Sequence, residues 1–299
     1  MRCTFEDAEY GGVMAMRHRH GVIRAVGLTD FAPTALENWV GQGLLGFMRR
    51  HVCIGAKALA GLSDDADRAV DPENPPAPSG LHFSVYPDMG SVASAVMVLT
   101  DLEDYYAHSD RLDPVKKTLA LVFPSELVAS QAEFAPRYWR FAQILSDLSC
   151  LTHPWDSAAS PDPAAPTFEL SLAGRAVFTT TLHPASPRIA RRFMYPTWVM
   201  NQTRQFDALR AAGQFSRWQD QIRAADAAVD PSGVANPVLT DHGQASAAGQ
   251  LAGSSVEGLT FSAPAGASDA HARGLAALEQ AHREGAPRSV LDTISARLG

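Results

Sequence analysis

A mixed α/β fold, α+β in character, with helices packed on one central mixed sheet, is what this sequence predicts, on three observations. Short β-rich runs alternate with segments of helical spacing along most of the chain. One of those runs, Thr118–Phe123 (TLALVF), is continuously apolar and closed by Pro124, as a strand covered on both faces must be. Two more, Phe168–Leu172 and Ala176–Leu182, flank Ala173-Gly174-Arg175 and read as an antiparallel hairpin, so the sheet is not wholly parallel.

The elements follow in order. Residues 1–34 show no firm period and read as a loose lead-in; His18 and His20 there admit a weaker metal-binding reading. From Ala35 to about Arg50, Leu36, Trp39, Val40, Leu44 and Phe47 recur at helical steps. The acidic, proline-rich run SDDADRAVDPENPPAPSG can bury little and reads as a surface loop. His82–Tyr86 is a strand, and Val92–Tyr106 a helix through Val92, Val96, Leu99 and Leu102. Phe134–Leu148 sets Tyr138, Phe141, Leu145 and Leu148 on one helical face, a core stripe rather than a cofactor box. Thr197–Met200 is a strand, and Gln202–Arg210 and Phe215–Ala228 are helices. From Leu251 on Gly, Ala and Ser dominate, and Ala270–Arg283 is a charged helix of low hydrophobicity. The expected organisation is a lead-in (1–34), one domain (35–253) and a peripheral tail (254–299).

Composition narrows the function classes. The 299 residues are 46% hydrophobic, enough for a core without staples. Cys3, Cys53 and Cys150 are an odd number without CxxC spacing, so neither a disulfide framework nor a zinc knuckle is indicated. A formal charge of −7 disfavours nucleic acid and anionic membrane surfaces as partners. The first twenty residues lack the apolar centre of a signal peptide, and no run of about 18 apolar residues occurs, so the expected location is the cytoplasm.

No GxGxxG, GxxxxGK[ST], HExxH or GxSxG is present, which removes the common dinucleotide, P-loop, zincin and α/β-hydrolase templates. What stands out is TTTLHPASPRIARRFMYPTWVMNQTRQFDALR, a dense polar segment opening where a strand ends. His183, held at that strand end by Pro184, reads either as a metal or heme ligand or as a turn residue bonded to backbone. Arg188, Arg191 and Arg192 lie close enough to present forks to carboxylates, such as heme propionates or an amino-acid substrate, or else are solvated. Asn236 with Asp241 and His242 could order a substrate or cap a turn. Cys53 could ligate heme as a thiolate or be a buried small hydrophobe.

Taken together LALVFP, LHPASPRIARRF, YPTWVMNQTRQFDALR and NPVLTDHGQAS form a colinear set, over roughly Arg49 to Gly253, that resembles the YqcI/YcgG family. The resemblance implies a heme b enzyme that hydroxylates a nitrogen of a guanidino or amino compound, as relatives in D-cycloserine and guanitoxin biosynthesis do. L-Arginine, giving Nω-hydroxy-L-arginine in a secondary-metabolite pathway, is the favoured substrate. His183 is the implied iron ligand with Cys53 as runner-up, the arginines hold carboxylates, and Asp241 and Glu169 are acceptors for a guanidinium. Two departures matter: Val52-Cys53 stands where relatives often have Pro-Cys, and Asn201-Gln202-Thr203 where they have Asn-Pro-His, which argues against iron ligation at residue 203. No reductase module is visible, so an electron-donor protein or peroxide is expected. A heme-binding or heme-sensing protein without turnover is the alternative, and a cofactor-free interaction protein a third.

Overall fold

The computed structural model describes residues 16–17, 22–25, 35–53, 56, 80–237, 261–262 and 267–298. In chain order the strands are β1 (Met16–Arg17), β2 (Val22–Ala25), β3 (Gly80–Val85), β4 (Lys117–Val122), β5 (Leu170–Leu172), β6 (Arg175–Leu182) and β7 (Thr197–Gln202). The helices are α1 (Ala35–Arg50), α2 (Val92–Ser109), α3 (Gln131–Ser149), α4 (Thr203–Ala211), α5 (Phe215–Val229), α6 (Ala267–Arg283) and α7 (Arg288–Leu298). One mixed sheet runs in the order β1-β2-β3-β4-β7-β6-β5. Only β3 and β4, joined through α2, are parallel; every other neighbour is antiparallel.

The apolar run expected at the centre is there. Strand β4 is buried at every position, between β3 and β7, and its alternation divides the core. Leu119 and Leu121 join the cluster under α2 and α3, while Ala120 and Val122 join the one under α1. The predicted hairpin is also present, with Leu172 opposite Arg175. Its two-residue turn needs positive φ at both positions, 49° at Ala173 and 74° at Gly174, the backbone of a type I′ turn.

Helix α3 begins three residues before the expected Phe134 because of its cap. Ser130 Oγ accepts the Glu133 N–H at 3.2 Å, and the Glu133 carboxylate takes the Ala129 N–H at 3.0 Å, so polar residues start a helix that apolar periodicity dates too late. In α1 the expected core positions Leu36 and Trp39 are exposed, and Val40, Leu44 and Met48 form the buried stripe. Two further expectations are corrected. Within the supposed lead-in, β2 pairs with β3 and carries β1 as the edge strand of the sheet; His18 and His20 lie outside the described residues. The supposed peripheral tail packs on α2 and α3: Ala281, Leu291 and Ile294 enter the main core, and Arg273 grips Asp147 with Nε at 3.0 Å and Nη2 at 2.8 Å. Small alanines let α6 sit close, so low hydrophobicity in the sequence did not mean low burial. No helix among the described residues is long and apolar enough to cross a membrane.

Candidate functional site

Between the sheet and the helices α1, α4 and α5 lies a cavity in two adjoining compartments of about 210 and 160 Å³. Both are bordered by His51 and Cys53, by Thr180 of β6 and Asn201 of β7, and by Trp218 and Ile222 of α5. Together they reach the low end of the range of about 300–1,000 Å³ typical of ligand pockets. The walls are mainly aromatic and aliphatic. Phe206 of α4 packs edge-on against Phe178 of β6 with ring centroids 5.5 Å apart, and against Phe215 of α5 at 6.5 Å. Strand period and helix period therefore converge on one apolar space.

Cys53 stands at the seam of the two compartments, just beyond the end of α1. Its backbone N–H donates to His51 Nδ1 at 3.1 Å, and His51 Nε2 lies 2.9 Å from the Ala190 carbonyl, so the neutral imidazole with its proton on Nε2 satisfies both contacts. That one ring fastens the end of α1 to the short 3-10 turn Ile189–Arg191 and fixes where residue 53 sits.

The three arginines separate. Arg188 is spent on ion pairs with Asp226 and Asp230 and on the Val234 carbonyl at 2.9 Å. Arg192 braces its own loop, with Nε 2.7 Å from the Ser186 carbonyl. Arg191 alone of the three borders the cavity. It is buried, and burial, partly offset by Asp226, lowers its pKa to about 10.

His183 lies on the opposite face of the sheet. Its even-numbered neighbours Thr180 and Leu182 border the cavity, and alternation turns residue 183 toward α3. There the imidazole stacks on Phe134 with centroids 4.4 Å apart, and Nε2 meets Gln131 Oε1 at 2.7 Å. Burial, reinforced by the Arg191 charge, pushes its pKa down to about 4 and keeps it neutral. The imidazole expected to grip iron is thus a packed, hydrogen-bonded residue that does not border the cavity. Its backbone serves the loop: the His183 N–H donates to Arg191 O at 3.1 Å and its carbonyl accepts the Ser186 N–H at 3.2 Å.

Among the expected substrate residues, Asn236 borders the larger compartment, and its backbone N–H donates to Asp226 at 2.6 Å. Glu169 is buried away from the cavity lining and accepts the Thr203 hydroxyl at the start of α4, a structural use that ties residue 203 down as well. Asp241 and His242 lie outside the described residues. Sequence reasoning passes over His51, Asn201 and the α5 stripe Phe215, Trp218 and Ile222. The stripe carries a signal, three- and four-residue spacing, but the same signal marks any packed helix. Among the described residues no group of three or more His, Cys, Asp or Glu is arranged to hold a metal ion.

The model of the YqcI/YcgG family matches residues 77–265, and the chain belongs to that family. No curated protein and no solved structure matches it.

Proposed function

We propose that this chain binds heme b in the sheet-face cavity and hydroxylates a nitrogen of a guanidino or amino compound, with L-arginine the favoured substrate. The observation that carries this reading is the placement of Cys53 at the seam of an aromatic-walled cavity that also holds a buried arginine. The donor set suits an iron porphyrin: one soft sulfur for the metal, apolar walls for the macrocycle, and a guanidinium in the same wall for an acid group. Cys53 therefore replaces His183 as the proposed ligand. Bound heme would supply the activation of dioxygen or peroxide, and a thiolate ligand favours O–O cleavage.

The chain's own residues do the rest. The His51 imidazole holds the Cys53 backbone by accepting its N–H. Phe178, Phe206, Phe215 and Trp218 keep water from the seam, which strengthens every polar contact made there. The Thr180 hydroxyl and Asn201 amide, on neighbouring strands and facing both compartments, are the acceptors that can orient a nitrogen's N–H groups beside Cys53. Electrons come from a partner protein, or the oxidant is peroxide, and a cytoplasmic location fits either source.

Purification with supplied heme tests the reading. A Soret band should appear, survive His183→Gln and be lost or displaced in Cys53→Ala. Incubation with L-arginine and either reductant plus dioxygen or peroxide should yield a product heavier by one oxygen. Absence of the band defeats the cofactor assignment, and a band without product leaves a heme-binding protein without turnover.

A further inference from the structure

We infer that Asp226 is the cation acceptor of the cavity: its carboxylate receives the α-ammonium of an amino-acid substrate whose reacting nitrogen lies at the seam beside Cys53. The inference rests on the cavity being the substrate site, and it names the residue that selects an amino acid there. It starts from α5. Phe215, Trp218, Ile222 and Asp226 recur at three- and four-residue steps, and all four border the larger compartment. The stripe is apolar until its last member, yet Asp226, 2% exposed, is the one fully buried residue of the helix. Among the described residues it is also the single carboxylate on that wall. A carboxylate so placed needs donors, because burying its charge without them is costly.

The protein meets half of that need. The Arg188 guanidinium and the Asn236 N–H, the latter at 2.6 Å, both reach Oδ2 and latch the loop and residue 236 to α5. Arg188 pairs with Asp230 as well, at 3.0 Å, so one guanidinium serves two carboxylates and the three groups together carry one net negative charge. Oδ1 takes no hydrogen bond from any described residue and is not enclosed by protein. Latching the loop therefore explains one oxygen of Asp226, and a ligand ammonium explains the other. Position decides which cation. Ile222 borders both compartments, and Asp226 lies one turn further along α5, about 5–6 Å from it. In L-arginine the guanidinium and the ammonium stand at opposite ends of a flexible aliphatic chain, so a guanidinium beside Cys53, Thr180 and Asn201 leaves the ammonium near Asp226. Arg191 and Arg223 border the same compartment and disfavour a bare cation, whereas an α-amino acid carries a carboxylate on the same carbon. Arg210 stands at the other end of α5, paired with Asp207 at 2.9 Å and stacked on Phe215.

Calorimetric titration of the full chain, with and without supplied heme, tests this with L-arginine and two analogues. The first, δ-guanidinovalerate, lacks only the α-ammonium; the second, L-citrulline, keeps the ammonium and replaces the guanidinium by a neutral urea group. The wild type should bind L-arginine at least about tenfold tighter than δ-guanidinovalerate, the scale of one charge-assisted contact. Asp226→Asn should erase that preference and weaken L-citrulline by the same factor. Arg188→Gln opens the latch but keeps the Asp226 charge, and Asp230→Asn takes from Arg188 a carboxylate that does not border the cavity, so both should retain the preference. A preference lost equally in Arg188→Gln and Asp226→Asn would reduce Asp226 to a latch and overturn the inference. Equal binding of L-arginine and δ-guanidinovalerate by the wild type, or binding of neither, would overturn it too. If Asp226→Asn weakens both guanidino compounds and spares L-citrulline, the carboxylate receives the guanidinium and the ammonium assignment falls. Hydroxylation of L-arginine without the preference would sink this inference and spare the function. A missing Soret band sinks the heme reading alone, because the preference is also measured without heme.

Discussion

Replacing His183 with glutamine should remove a specific acid sensitivity of the fold. In the folded chain the buried ring stacks on Phe134 with its Nε2 held by Gln131, and burial lowers its pKa to about 4. Once unfolded, the same imidazole returns to its ordinary value of about 6.5. As pH falls through 6.5 toward 4 the unfolded state binds a proton that the folded state refuses, so stability present above 6.5 is progressively lost. At about 1.36 kcal/mol for each pH unit between those two values, the wild type should lose about 2.5 kcal/mol between pH 7.5 and 4.5 from this group alone. His183→Gln also forfeits the stack, a cost of about 1–2 kcal/mol at neutral pH. The decisive quantity is the difference of differences: urea unfolding of both proteins at pH 7.5 and 4.5. Carboxylates titrate alike in the two and cancel. Curves that fall in parallel would refute the reasoning, because they would mean that the ring is solvated or already charged in the native state.

Four further substitutions probe the packing and the cavity. Gly274→Ala in α6 would put a methyl 2.5 Å from the Asp147 carbonyl oxygen and 2.7 Å from Leu151 Cγ, so it should destabilise by about 1–3 kcal/mol despite alanine's better helix propensity. Gly46→Ala in α1, where the nearest atom is the flexible Arg50 tip at 3.8 Å, should instead stabilise by about 0.5–1 kcal/mol; thermal melts of the pair should move in opposite directions. At the hairpin, Gly174→Ala meets both a φ of 74° and the His153 ring at 3.2 Å, and should cost about 1–2 kcal/mol by denaturant unfolding. Ile222→Trp projects into the seam of the two compartments and should cut heme uptake by at least about tenfold while circular dichroism stays that of the wild type; undiminished uptake would place heme elsewhere.

What is legible in the sequence is whatever one local rule decides. TLALVF announces a doubly covered strand because it is short, β-branched in part and closed by Pro124, and Ala-Gly between β-rich runs announces a turn because φ must be positive there. The edges of elements are less visible where polar residues set them, as Ser130 and Glu133 do for α3. The C-terminal helices mislead because α6 docks through small alanines and the Arg273–Asp147 pair, and only a few large apolar residues, Leu291 and Ile294 of α7 among them, complete the contact. In the site, Cys53 is visible as a candidate but its weight is not. Its meeting with Thr180 and Asn201 depends on pairings of β6 with β7 and on the docking of α1, which are long-range facts.

The densest motif of the chain, LHPASPRIARRF, works at one remove from the cavity it suggests. Its histidine packs on the far face, its first arginine holds Asp226, its last braces the loop, and of its charged residues Arg191 alone borders the cavity. Such density follows from what the segment must do. A buried guanidinium is held in place only if the loop carrying it is rigid, and rigidity at a strand end needs the backbone bonds between His183 and Arg191 together with side-chain ties on either side. The alternation of β6 then assigns the labour: residues 180 and 182 face the cavity, and residue 183 faces the core that keeps them still.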